Sequence, residues 1–163
     1  MSPDPVHADP APPLQASLWL NTPEPVSLAA LRGQVVLLHA FQMLCPGCVT
    51  HGIPQAQRVR RLFTADELAV IGLHTVFEHH EVMNAAALRV FLHEYRIDFP
   101  VGIDQAGDDD PVPLTMRSYG LRGTPSLVLI DRRGRLRLQH FGQIDDLQLG
   151  AAIGQLLAEP RTG

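Results

Sequence analysis

The 163-residue, 17.9 kDa chain is long enough for one domain with its own hydrophobic core. Hydrophobic residues at 45% against 18% charged residues exclude a disordered chain, and a net charge of -4 with a pI near 6.0 argues against nucleic acid or an anionic membrane as the main partner. All 13 basic residues are arginine, and the absence of lysine removes Schiff-base, pyridoxal-phosphate and P-loop-lysine chemistry together.

Residues 1–13 are rich in proline and polar residues and read as a disordered lead-in to one domain over 14–160. They lack the basic and apolar regions of a signal peptide, and nothing in the chain approaches the ~18 consecutive apolar residues of a membrane span. The expectation is a cytoplasmic protein with no membrane partner.

Residues 14–20 predict a short strand, stopped by Asn21 and Pro23. Ser27 can cap a one- or two-turn helix that ends at Gly33. VVLLHAF at 35–41 is apolar and partly β-branched, the pattern of a strand buried on both faces. The segment after Cys45 has helical composition, with a kink expected near Gly52 and Pro54. A second buried strand covers 68–74, and a loop with Glu78, His79 and His80 follows. In the helix at 83–96, Leu88, Phe91, Leu92 and Tyr95 recur at helical spacing. A short strand at 99–104 leads to an acidic loop at 107–113 and a helix at 114–120. Residues 126–142 form a hairpin turning at Asp131–Gly134, and the last helix, at 144–158, has Leu147, Ile153, Leu156 and Leu157 as its apolar positions. Helices between apolar strands predict an α/β fold with helices on both faces of a mainly parallel sheet, to which the hairpin adds antiparallel strands.

The 2 cysteines form a single C-x-x-C, Cys45-Pro46-Gly47-Cys48. They stand directly after a buried strand and at the start of a helix. Free N–H groups at a helix N-terminus stabilise a thiolate at Cys45. Pro46 suits the first helical position, where its missing N–H costs nothing. Cys48, one turn on, can close a small disulfide with Cys45, so the first thiol attacks and the second resolves. Gly123-Thr124-Pro125 precedes the strand SLVLI. A cis Thr124–Pro125 bond would set the Thr124 backbone beside the cysteines, where it could pair with an extended substrate.

The stretches LRGQVVLLHAFQMLCPGC, LAVIGLHTVFE, FPVGID and YGLRGTPSLVLIDRRGRL together resemble the thioredoxin-like superfamily, most closely its TlpA-like and AhpC/TSA redoxin branch. The resemblance implies a thioredoxin fold, with a mixed central sheet, an N-terminal extension and an insertion before the cis-proline. It implies thiol–disulfide exchange with Cys45 as nucleophile, Cys48 as resolving thiol and Pro125 as the cis-proline, the substrate resting against Pro46, Gly47 and Thr124. Protein or small-molecule disulfides would be the substrates and a reductase or dithiol the electron donor, with no cofactor and no metal. Leu44 stands where most relatives carry Trp. Thioredoxin itself pairs a buried acid with a lysine beneath its thiols. Without lysine, a carboxylate such as Glu78, where TlpA-like proteins often carry glutamate, would pass the Cys48 proton alone or with histidine and water.

His51, one turn after Cys48, reads as a surface histidine within reach of tuning the thiols, and His39 as a hydrogen-bonded core residue. The spacing of His74, His79 and His80 matches no metal motif. The arginines at 132, 133, 135 and 137 read as a solvated hairpin suited to acidic partners. Two alternatives stand beside thiol–disulfide exchange. One is a peroxiredoxin-like thiol peroxidase, although Gln42 occupies the place of the peroxide-orienting Thr or Ser three residues before the nucleophile. The other is a redox-inactive binding domain that uses the cis-proline groove.

Overall fold

The computed structural model describes residues 9–161. A six-stranded sheet has the order β1-β4-β3-β2-β5-β6. Its strands are β1 (Ala16–Leu20), β2 (Val35–Phe41), β3 (Leu68–His74), β4 (Val101–Asp104), β5 (Ser126–Ile130) and β6 (Leu136–Phe141). All seven residues of β2 are buried, because its alternating side chains enter two different cores. Val35, Leu37 and Phe41 pack with α1 (Ile53–Leu62), α2 (Ala85–Glu94) and α4 (Asp146–Ala158) on one face. Val36, Leu38 and Ala40 pack with α3 (Leu114–Tyr119) and the 3-10 turn Ala29–Leu31 on the other.

The sheet is mixed, as the resemblance implies, with fewer parallel pairs than the alternation of helices and strands alone predicts. β2 runs parallel to β3 and β3 to β4, whereas β1–β4, β2–β5 and β5–β6 are antiparallel. A helical crossover keeps a strand parallel only when it returns the chain to the same end of the sheet. α3 does not, and β5 enters beside β2 from the opposite end. The extension before β2 supplies β1, which closes the edge against β4.

Of the segment expected to be disordered, residues 1–8 lie outside the described residues. Residues 9–12 are held in place, which corrects the expectation for them. Pro10 bridges Arg135, Ala11 N–H donates to Gly134 O at 2.9 Å, and the Tyr119 hydroxyl donates to Pro12 O at 2.6 Å. Proline-rich chain is extended and needs no internal hydrogen bonds, so it can lie along an exposed hairpin edge.

The helix after the cysteines starts at Pro46, widens to a π-turn over Cys48–Gly52 and continues as α1. The widening falls where Pro54 offers no N–H to the preceding turn. In α4, Leu149, Ile153 and Leu156 are the buried positions, while Leu147, placed on the apolar face by sequence, is 85% exposed in the first turn. Among the described residues, no helix is long and apolar enough to cross a membrane.

Candidate active site

β2 delivers Gln42 to Cys48 to the end of the sheet, and the Thr124–Pro125 turn before β5 arrives beside them. The Thr124–Pro125 bond is cis. Cys45 is half-buried and Cys48 fully buried, and both are free thiols. The Cys48 thiol donates to Cys45 Sγ at 2.6 Å, and the Cys48 backbone N–H points at the same sulfur at 3.3 Å. The Cys45 thiol donates to Thr124 O at 3.5 Å. Cys45 Sγ is therefore the sulfur that faces both solvent and the cis-proline turn, with an N–H donor aimed at the charge that develops on it.

The fit around the thiols is close. A Cβ on Gly47 would lie 3.3 Å from Pro125 Cδ. A Cβ on Gly52 would lie 2.5 Å from His39 Cε1 and 3.2 Å from Pro125 Cβ, so only glycine lets the helix pass over the His39 ring. The Gly142 N–H donates to Pro125 O at 2.8 Å and ties the turn to β6. Leu44 and Phe141 leave exposed apolar surface beside it.

Burial pushes the Cys48 thiol up to about 12, and its hydrogen bond to Cys45 adds to the shift. The Gln42 backbone and the Thr124 side chain act the other way, as hydrogen-bond donors that favour the thiolate. His39 and His74 are each lowered to about 4, chiefly by burial, with His51 adding electrostatic repulsion at His39. His74 Nε2 accepts the Met43 N–H at 3.2 Å. His39 Nε2 is buried without a partner, which corrects the expectation that it is hydrogen-bonded. The ring occupies the space under Gly52, where no donor reaches it.

Cys45, Pro46, Gly47, Cys48, Thr124 and Pro125 thus converge. Glu78 does not join them. Its side chain is exposed in the loop after β3, so it lacks the burial that surrounds Cys48. His51 is half-buried, and its Nε2–H donates to Ile144 O at 3.1 Å, which fixes it to the segment before α4. The hairpin arginines are not simply solvated. Arg135 and Arg137 converge on buried Asp131 at 2.9 and 3.1 Å, and Arg137 also pairs with Glu159. Among the described residues, no three His, Cys, Asp or Glu side chains gather as a metal-binding group.

Sequence reasoning missed Gln42 as a member of the site. It is buried, its Oε1 accepts the Phe77 N–H at 3.2 Å, and its Nε2 donates to Thr124 Oγ1 at 3.4 Å. The available signal was a polar residue at the end of an apolar strand, three positions before the first cysteine.

A helix-borne cysteine pair against a cis-proline turn, on a sheet of this order, defines a thioredoxin-like protein. The redoxin family matches residues 7–151, and the chain belongs to that family. Its structure is similar to that of a thioredoxin-like superfamily protein, with 57% identity, TM-score 0.92 and coverage of 94% of this chain and 99% of the other. It is also similar to a thiol-disulfide isomerase from Corynebacterium glutamicum, with 50% identity, TM-score 0.88 and coverage of 92% and 98%. No curated protein matches its sequence.

Proposed function

We propose that the chain is a thiol–disulfide oxidoreductase working through a Cys45/Cys48 couple. The observation that carries this reading is the asymmetry of the pair, a half-buried Cys45 facing the cis-proline turn and a fully buried Cys48 in contact with it. Cys45 attacks a substrate disulfide, one substrate sulfur leaves, and the other is held on Cys45 as a mixed disulfide. Cys48 then attacks Cys45 Sγ, releases that second sulfur as a thiol and leaves the Cys45–Cys48 bond. Protein disulfides are the proposed substrates. The exposed apolar surface of Leu44 and Phe141 and the Thr124 backbone support that choice. An upstream dithiol returns the pair to the reduced state. The 50% identity to a thiol-disulfide isomerase supports the same chemistry.

The test is trapping. Cys48→Ser accumulates mixed disulfides with substrate and Cys45→Ser does not, read by non-reducing gels and mass spectrometry. Equal trapping by both variants overturns the assigned roles. A thiol peroxidase gains no support at the position before the thiols, where the Gln42 amide is already occupied by Phe77 and Thr124. Stopped-flow oxidation by hydrogen peroxide therefore proceeds no faster than for an ordinary thiolate. A much faster rate would reinstate the peroxidase.

A further inference from the structure

We infer that Arg122, braced on the Phe141 ring, is a specificity-determining residue that receives a carboxylate of the substrate, so that acidic extended protein segments are the preferred disulfides. The inference rests on the proposed exchange chemistry and narrows its substrate class. Contact and exposure carry it. Phe141 is the last residue of β6 and pairs with Ser126, the residue after the cis-proline. Its ring lies against the turn itself, since a Cβ on Gly123 would stand 2.8 Å from Phe141 Cε2. The Arg122 guanidinium carbon is 5.6 Å from the centre of the same ring, within the range of a cation–π contact. Both side chains are exposed.

The charge of Arg122 is held in place yet left unpaired. Arg58, Arg117, Arg135 and Arg137 pair with carboxylates. Among the described residues Arg122 has no ion pair, and its guanidinium rests on the ring instead. It is the one charged residue in 121–126. Residues 141–144, tied to the turn through Gly142, are uncharged as well. A long side chain already held on a ring loses less rotamer freedom when a ligand arrives. A guanidinium meets a carboxylate through paired N–H donors, a fit that a neutral or cationic substrate side chain lacks.

The distance to the thiols is short. Thr124 O, which accepts from the Cys45 thiol at 3.5 Å, belongs to the residue two places after Arg122, a backbone span of at most about 7 Å. The guanidinium is folded back on a ring that touches Gly123. An extended substrate advances about 3.3 Å per residue, so the guanidinium stands abreast of a position within about three residues of the substrate cysteine. In the first step the Cys45 thiolate attacks the sulfur of that cysteine. The Cys45–substrate bond forms, the substrate disulfide breaks, and its other sulfur leaves with the electron pair. Arg122 takes no part in this bond exchange and acts only on which substrate is present for it, which is the signature to look for.

The experiment uses the full reduced chain and extended peptides with one cysteine, activated as a mixed disulfide with thionitrobenzoate. Glutamate, glutamine or lysine is placed in turn at each position up to about three residues on either side of the cysteine. Attack by Cys45 joins the peptide to the protein and releases thionitrobenzoate, which is followed by stopped flow. At one or more positions the glutamate peptide reacts about fivefold faster than the glutamine peptide and the lysine peptide is slowest, and the ratio shrinks toward one in about 1 M salt. Arg122→Gln brings the ratio of glutamate to glutamine to about one, and Arg122→Glu inverts the preference toward lysine. Phe141→Leu keeps the arginine and removes its brace, and the ratio falls to about twofold. Equal rates for the three peptides at every position in the wild type overturn the inference, and a ratio unchanged in Phe141→Leu overturns the brace. A ratio that survives Arg122→Gln also overturns the inference. This includes the case in which both peptides slow by the same factor, because the arginine then acts on the thiols and not on the substrate. Oxidised glutathione tests the other source of a carboxylate, and a rate that depends on Arg122 there and with no peptide overturns a protein as the partner. Absence of thionitrobenzoate release by the wild type, or equal release by Cys45→Ser, overturns the exchange reading itself, and the substrate preference with it.

Discussion

Gly52 is the position where a single atom decides the packing of the site. The helix crosses the His39 ring there at a distance that leaves no room for Cβ, with Pro125 on the other side. Gly52→Ala must push either the ring or the helix, at a cost of about 1–3 kcal/mol, read as a lower urea midpoint. His39→Ala in the same chain gives the new methyl room, so the double variant is less destabilised than the sum of the two singles. Additive losses would show that the close approach carries no strain. The glycine was visible in the sequence as a kink beside Pro54. The ring it accommodates was not, because His39 lies on a strand 13 residues earlier and nothing local says which side chains a helix will cover.

Among the elements, α3 depends most on a residue outside itself. It has only six residues, framed in the sequence by Pro113 and by Gly120 in the left-handed conformation. Its free N–H groups are met by Asp104 at the end of β4. Oδ1 accepts Thr115 N–H at 2.8 Å, and Oδ2 accepts Met116 N–H at 2.9 Å and the Thr75 hydroxyl at 2.9 Å. Asp104 is 5% exposed, so removing it leaves several buried donors without acceptors. Asp104→Ala should cost roughly 2–4 kcal/mol. The loss is read by urea unfolding, with faster amide exchange at Thr115 and Met116. Unchanged exchange there would show that the carboxylate does not hold the helix. The boundaries of α3 were legible because Pro and Gly act locally. Its cap was hidden because the acidic loop at 107–113 separates the carboxylate from the helix it serves.

At the scale of the whole molecule, the two buried rings make stability depend on pH. His39 and His74 each sit near 4 in the folded chain against an ordinary 6.5, with burial as the main cause. Between those values the unfolded chain binds a proton that the folded chain refuses. Stability is therefore full above the ordinary value and falls as pH drops toward 4, by about 3 kcal/mol per ring. Urea midpoints at about pH 7.5 and pH 5 should differ in the wild type and converge in a His39→Gln/His74→Gln variant. Equal midpoints in the wild type would mean that the rings are protonated or reached by water in the fold. The far end of the sheet bears on the same stability. Arg137 links Asp131 in the hairpin turn to Glu159 beyond α4. Asp131 stays ionised, below the usual carboxylate range. Burial opposes this, and hydrogen bonds from Arg133, Arg135 and Arg137 outweigh it.

The sequence alone determined the strand and helix order, the two-sided burial of β2 and the place of Cys45 and Cys48 at the start of a helix. These depend on side-chain periodicity and on Gly, Pro and Cys positions, all of which act over a few residues. The tertiary structure decided the direction of β5 and β1, the ordering of residues 9–12, the exposure of Glu78 and the unpartnered Nε2 of His39. It also decided the link from Gln42 to Thr124, which joins residues separated by 82 positions. Such contacts depend on which loops meet once the sheet has assembled. A buried polar group is satisfied by whatever the packed fold brings to it, and local sequence carries no record of that neighbour.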